Sequence, residues 1–416
     1  MGIHLNLSKN LIYPFLMGVS NICLVYSQYF LEKTYIIDGK KVRFEKHQFV
    51  LVWMMFLAEF SIIIFYFIQR KLSNTSSVRE AILEDNLVTS IEKVQSKKLE
   101  LIPGKKKIIS ILLVIMCLFL DLSAATSLCI IRQHSKINFL ELLLRLFALI
   151  ASTVLCIWLL KYKYYIHHFL GISFIFVGLI GYTIINVAFN LNFSFSWDFL
   201  GTFMLLLLPY LLSSLQEVTE KYLMHFKYVS PYVVVGLQGF GGTFIFIPIF
   251  FILNQIPCPN ESIICDSQSS SSHSVENALE TLSLVFSHYQ FYIPFLCYYL
   301  SSMVFNTFRL LTNQKYSPAH RVIADVFQTF LYWIVGIIVS SASGTLHNWD
   351  YYLVSGIAYL VVILGVLIYI EILVIDWCGL GANTRIQIED RQTEEIKLDY
   401  NSQINGPFIL LKEESE

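Results

Sequence analysis

Residues 49–68 read FVLVWMMFLAEFSIIIFYFI, twenty residues in which Glu59 is the single charged group. A helix rises about 1.5 Å per residue, so a stretch of this length covers the roughly 30 Å of a bilayer's hydrocarbon core. In hydrocarbon the backbone must satisfy its own hydrogen bonds, which an α-helix does. The stretch therefore predicts a transmembrane helix with one carboxyl group near its midpoint. A lone carboxylate at that depth is costly, so Glu59 calls for an interhelical partner or a wet cavity.

Working outward, the same pattern recurs along the chain. Apolar runs of span length occur at Leu11–Leu31, Phe49–Ile68, Ile108–Ile130, Phe139–Leu160, His168–Ala188, Phe199–Val218, Val229–Leu253, Phe291–Leu311, Val322–Ser340 and Tyr352–Glu371. The 416 residues are 56% hydrophobic and 14% charged, against about 25% charged in an ordinary soluble domain. Mean hydropathy is +0.61. The sequence thus predicts an all-α integral membrane protein with ten transmembrane helices. Ten divides into 1–197 and 198–380, each with five spans, followed by a polar tail at 381–416. An odd number of spans per half inserts the halves upside down relative to each other, the arrangement of alternating-access carriers. A ten-helix scaffold without transport satisfies the same count. The first ten residues lead into Leu11–Leu31 without a small-residue cleavage site, so that run reads as a first span rather than a signal peptide.

Basic residues set the orientation. Of 29 Lys and Arg, 20 fall on the side holding both termini, nine of them in the loop 69–107; five of the opposing seven lie between the first two spans. The termini and the loop 69–107 are expected on the cytosolic side or its equivalent, and the polar loop 254–290 opposite. That loop holds Cys258 and Cys265, which could pair in an oxidising lumen. Asn260 begins an acceptor sequon there, and Asn192 another close to the membrane. Net charge is −1 with no basic face, which gives no argument for nucleic acid. No phosphate-cradling glycine loop, HExxH, nucleophile elbow or CxxC is present. The sequence therefore predicts no enzyme chemistry, cofactor or metal. His167-His168 reads as an interfacial pair.

Further charges interrupt the spans. Asp121 lies inside the third. Glu141 and Arg145 sit one turn apart in the fourth, and Arg321 and Asp325 repeat that spacing in the ninth. Asn306 and Arg309 are three apart in the eighth, and Gln216, Glu217 and Glu220 end the sixth. Glu59, Asp121, Arg145, Gln216, Asn306, Arg309, Arg321 and Asp325 form the candidate substrate-binding set. Arginine's planar fork suits phosphate or carboxylate, which points to an anionic substrate. The competing reading is interhelical salt bridging, with Glu141 and Arg321 snorkelling from span ends. Gly171, Gly178, Gly236, Gly239, Gly241, Gly242 and Gly336 are read as sites of close helix approach.

Several segments, in order and spacing, resemble the drug/metabolite transporter superfamily, in particular the F branch of the solute carrier 35 family that includes nucleotide-sugar transporters. They are Met55-Phe-Leu-Ala-Glu59, Asp121, Leu144-Arg145, Gln216-Glu-Val-Thr-Glu-Lys-Tyr222, Val229-Ser-Pro231, Gly236-Leu-Gln-Gly-Phe-Gly241 and Phe305-Asn-Thr-Phe308. The series continues through Thr312, Ser317, Arg321, Asp325, Thr329 and Trp333. The resemblance implies two inverted five-helix repeats around a central cavity, no enzyme activity, and a small-molecule metabolite that is often anionic or nucleotide-linked. It also implies peripheral fifth and tenth spans available to a homodimer, and residence in Golgi, endoplasmic reticulum or lysosomal membranes, with the mitochondrial inner membrane as an alternative. The chain departs from the family pattern at Leu146 and Arg309, where glycines are expected, at Gln238, where glutamate is expected, and at Gln328, where an arginine is expected. Such changes retune the substrate, or mark a transporter fold retained as a structural subunit of a larger membrane assembly.

Overall fold

A computed structural model describes residues 3–5, 12–32, 35–37, 40–42, 48–73, 103–134, 138–189, 197–227, 229–257, 274–342, 349–375, 384, 387 and 391. Among these residues the chain is an all-α bundle apart from four three-residue strands. The helices are α1 (Ile12–Glu32), α2 (Gln48–Ser73), α3 (Pro103–His134), α4 (Asn138–Leu159), α5 (Ile166–Phe189) and α6 (Trp197–Phe226). They continue with α7 (Pro231–Gln255), α8 (Ala278–Ser287), α9 (Tyr289–Lys315), α10 (Pro318–Ala342) and α11 (Trp349–Tyr369). Every helix but α8 has 21 or more residues, and each coincides with one of the expected apolar runs. Seven of them (α2, α3, α4, α5, α7, α10 and α11) are long and apolar enough to cross a membrane. The other three long helices carry more polar groups: Ser20, Asn21 and Ser27 in α1, the run Gln216–Tyr222 in α6, and Asn306, Arg309 and Asn313 in α9.

Local chemistry fixes the helix ends. Pro103, Pro231 and Pro318 each stand at the first helical position, where the missing N–H costs nothing and φ is already helical. Ser317 caps α10, its hydroxyl accepting from the His320 N–H at 3.3 Å. Lys161 and Glu371, both beyond helix ends, take φ of 55° and 60°. At the first, the Tyr162 N–H returns to the Cys156 carbonyl at 3.2 Å, a left-handed termination of α4. The polar connection 254–290 is not wholly a loop. Its last part forms α8, whose Val285 is buried with Phe291, Phe295 and Met54.

The main pairings are α1 with α9, α2 with α7, α3 with α6, α4 with α6 and α10, and α5 with α11. In the largest apolar cluster, Leu144 and Leu149 of α4 meet Ile175 of α5, Val322 and Val326 of α10, and Val362 and Tyr369 of α11. A Cβ on Gly178 would stand 2.9 Å from the Ala358 carbonyl oxygen, and one on Gly365 2.7 Å from that of Gly171. The α5–α11 pair thus depends on both helices carrying glycine. Gly336 is expected to pack in the same way, but no side chain or neighbouring helix among the described residues lies within 4 Å of a Cβ placed there. Strand β1 (Ile3–Leu5) pairs antiparallel with β4 (Leu373–Ile375), which places the start of α1 and the end of α11 at one end of the bundle. Strands β2 (Tyr35–Ile37) and β3 (Lys40–Val42) make a hairpin between α1 and α2. Large apolar side chains such as Ile108, Leu112 and Phe119 of α3, Ile166 and Val177 of α5, and Leu353 and Leu360 of α11 point outward. Bare apolar surface on so many helices suits a bilayer, where it meets lipid instead of water. Cys258, Cys265, Asn192 and Asn260 lie outside the described residues.

Candidate functional site

The charged residues of the spans converge. Glu220, on the last turns of α6, is the hub. Its Oε2 accepts from Arg321 Nη1 at 3.1 Å, and its Oε1 from Gln216 Nε2 at 2.8 Å and Gln238 Nε2 at 3.1 Å. Arg309 Nη2 stands 4.0 Å from the same Oε1. One turn earlier on α6, Glu217 Oε1 lies 3.4 Å from Arg321 Nη2, so the two acids hold both arms of one guanidinium. This spacing of three along a helix is what places two carboxylates on one face. The side chain of Arg321 is 2% exposed and that of Glu220 fully enclosed. Such a pair is worth having only when remaining hydrogen-bond positions are filled, and here three donors share one carboxylate.

Around the hub lie the other candidates. Glu59 of α2 is within electrostatic reach of Asp121, Arg309, Glu220 and Arg321. Asp121 of α3 faces Arg309, Glu220 and Arg321, with Gln216 as its polar neighbour. Asp325 of α10 faces Arg145, Arg321 and Arg309, and Arg145 Nη1 donates to the main-chain oxygen of Asp325 at 3.3 Å. Asn306 precedes Arg309 by one turn on α9 and is 1% exposed. All eight expected site residues therefore lie on helices that meet at this cluster, and seven of them are linked by the contacts just described. Asn306 is placed there by its position on α9.

Two expectations are revised. Arg321 does not snorkel, since its guanidinium turns inward onto Glu217 and Glu220. His167 does not face outward: it is 5% exposed, and its Nε2 lies 3.0 Å from Glu371 Oε1. The left-handed turn at Glu371 swings that carboxylate back onto α5. Metal-capable atoms of His167, His168 and Glu371 lie within 4.8 Å of one another, at the rim of a small recess also lined by Leu373 and Thr384. The side chain of Glu141 is not among those described.

The candidate set left out several contributors. Glu217 and Glu220 read as polar groups closing a span, and Gln238 as a neutralised charge. Lys221 is 3% exposed, and its Nζ donates to the carbonyl oxygens of Gln314 (2.7 Å) and Tyr316 (2.6 Å), which end α9. Asn313 Nδ2 donates to the Glu217 carbonyl at 2.9 Å, so α6 and α9 are bolted together beside the hub. Gln328, where an arginine was expected, accepts from the Asn21 amide of α1.

Gly239 sets the depth of Glu59. A Cβ there would stand 2.1 Å from the Phe60 nitrogen and 2.6 Å from the Glu59 carbonyl carbon. The backbones of α2 and α7 therefore touch at the acid itself, as small residues permit. Gly236 and Gly242 make similar approaches to Ile63 and Phe56, and Gly241 to the Leu118 side chain.

No protein-family model matches the chain, and no curated protein does. Among solved structures, a chain titled only "Crystal structure of protein" is 12% identical with a TM-score of 0.46, over 87% of this chain and 95% of its own.

Proposed function

We propose that this protein is a secondary transporter or exchanger of the drug/metabolite transporter type, moving an organic anionic metabolite by alternating access between two inverted five-helix halves. The observation that carries the reading is the cluster itself: three arginines and five carboxyls drawn from six helices of both halves, with Glu59, Asp121, Glu217, Glu220 and Arg321 buried and Arg145, Arg309 and Asp325 half-buried. Burying so many charges is costly, and a chain that needed only to pack could have used apolar side chains. An arriving phosphate or carboxylate would take Arg309 and Arg321 from Glu220 and Glu217, an exchange of ion-pair partners that leaves each guanidinium satisfied.

The helix pairings support the inverted repeat. Match α1 to α6, α2 to α7, α3 to α9, α4 to α10 and α5 to α11, with α8 as an insertion. The pair α1–α9 then has its mate in α3–α6, α4–α6 in α1–α10, α2–α9 in α3–α7, α4–α5 in α10–α11, and α7–α9 in α2–α3. The pairs α2–α7, α4–α10 and α5–α11 map onto themselves. A two-fold axis in the membrane plane would produce this pattern.

The test is flux from proteoliposomes preloaded with a mixed metabolite panel and read by mass spectrometry. Selective exchange that is lost in Arg145→Ala and Glu59→Ala, with both variants folded, is the expected result. Retained exchange in both variants refutes the cavity assignment. Silence of folded wild-type protein, together with a stable co-purifying complex, would favour the structural-subunit alternative.

A further inference from the structure

The cluster does not balance its own charge. Among the described residues it contains five carboxyls (Glu59, Asp121, Glu217, Glu220 and Asp325) against three guanidiniums (Arg145, Arg309 and Arg321). Arg321 is held by Glu217 and Glu220, and Arg145 lies against Asp325. Arg309 is shared among Glu220, Asp121, Glu59 and Glu217. Lys221, a further buried cation on α6, is turned onto the carbonyls of Gln314 and Tyr316, and even counting it leaves an acid in excess.

The excess falls on one side of the cluster. Glu59 and Asp121 are 1% and 4% exposed, and Glu59 Oε2 and Asp121 Oδ2 have no hydrogen-bond partner among the described residues. Neither has Asn306, whose amide oxygen and nitrogen are both unmet at 1% exposure, nor the Ser302 hydroxyl one turn before it. Buried polar groups are almost always paired. Glu217, Gln238, Arg309 and Arg321 of the hub also carry an unmet atom, but each holds a partner through another atom, whereas Asn306 and Ser302 meet none among the described residues. The charged groups within electrostatic reach of Glu59 are Asp121 of α3, Glu220 of α6, Arg309 of α9 and Arg321 of α10. Of these only the two arginines are cationic, and both are already engaged by the α6 acids.

We propose that Glu59, Asp121 and Asn306 form a binding site for a small monovalent cation, either a sodium ion among their oxygens or a proton on the carboxyl pair. One such charge offsets the local acid excess, and oxygen-only ligands of this kind suit a hard cation. The close contact of α2 and α7 at Gly239 holds Glu59 at a fixed depth, and α9 carries both Asn306 and Arg309. Cation site and arginine site therefore share one helix, so occupation of one alters the field at the other. Coupling of the cation to flux rests on the carrier reading; its binding does not.

The test uses purified full-length protein in nanodiscs, with no transported compound added. Thermal unfolding is compared in sodium chloride and choline chloride at equal ionic strength. Infrared spectra in choline chloride at neutral pH are examined for the carbonyl stretch of protonated carboxylic acids. A sodium-specific rise in Tm that is abolished in Glu59→Gln and in Asp121→Asn identifies sodium. A protonated-carboxyl band in the wild type that either variant removes identifies the proton. Wild-type protein with neither a sodium-dependent Tm nor a protonated-carboxyl band overturns the proposal, and this outcome does not depend on the variants folding. A failure here would leave an uncoupled exchanger standing, whereas silence in the metabolite panel would leave the cation site standing.

Discussion

Substituting Gly239 by alanine tests the contact on which the position of Glu59 depends. The added methyl would stand 2.1 Å from the Phe60 nitrogen and 2.6 Å from both the Glu59 carbonyl carbon and the Phe56 carbonyl oxygen. All three are backbone atoms, so no side-chain rotation relieves the clash. Restoring ordinary contact at 3.4 Å requires α2 and α7 to separate by about 1.3 Å at the level of the acid. Overpacking of this kind costs about 1–3 kcal/mol, and the upper end applies because two long helices must move together. The neighbouring glycines supply internal controls. Gly241→Ala meets the end of the Leu118 side chain at 2.3 Å, which can rotate away, so its cost should fall below that of Gly239→Ala. Gly336→Ala places its methyl within 4 Å of no neighbouring element among the described residues. It should gain up to about 1 kcal/mol from the better helix propensity of alanine. Unfolding midpoints in one micelle, followed by tryptophan fluorescence, should rank Gly336→Ala above wild type, then Gly241→Ala, then Gly239→Ala. A Gly239→Ala midpoint at or above that of Gly241→Ala would refute the backbone contact and, with it, the fixed depth of Glu59.

Arg321→Met leaves Glu217 and Glu220 without their shared partner and should destabilise by about 3–5 kcal/mol, with part recovered by adding Glu220→Gln; unfolding midpoints of the single and double variants check this. Lys221→Met frees the Gln314 and Tyr316 carbonyls, at about 1.5–3 kcal/mol for each charged hydrogen bond lost. Hydrogen exchange should rise first at residues 314–320, and an unchanged turn would show that the lysine is not its clamp. The Trp333 indole N–H donates to the fully buried Ser355 hydroxyl at 3.1 Å, joining α10 to α11. Ser355→Ala should cost about 1–3 kcal/mol by stranding that donor, and should change Trp333 emission, read against a Trp333→Phe control.

The helices were legible because a bilayer imposes a length, and apolar runs of about twenty residues occur ten times. Proline at 103, 231 and 318 stands at three of the observed starts, where its φ is already helical. The ten-residue α8 was not legible, since it is too short to span and its buried face amounts to little more than Thr281 and Val285. At the site, a charge inside an apolar run announces itself, which is why Glu59, Asp121 and Arg309 stood out. The partners did not. Spacing along one helix suggested Arg321 with Asp325, yet its guanidinium bonds Glu220, 101 positions away in sequence. Local periodicity says which residues share a face; only the packing of α6 against α9 and α10 says which faces meet. Gln238 and Gln328 were harder still, because an uncharged amide in a membrane helix resembles an ordinary packing residue until its partner is known.

The departures from the solute carrier 35 pattern take on a shared meaning under the proposed function. Relative to that pattern the chain loses an acid at Gln238, gains a base at Arg309 and loses a base at Gln328. The amide at 238 donates to Glu220, where a second carboxylate would have repelled it. The base added on α9 lies 4.0 Å from that same Glu220, while position 328 on α10 has turned to Asn21 of α1. Replacing these ions by apolar side chains would remove the cost of burying them, so their presence favours the carrier reading over the structural-subunit alternative. Under the proposed function their charge is what the substrate meets where α2, α3, α6 and α9 converge.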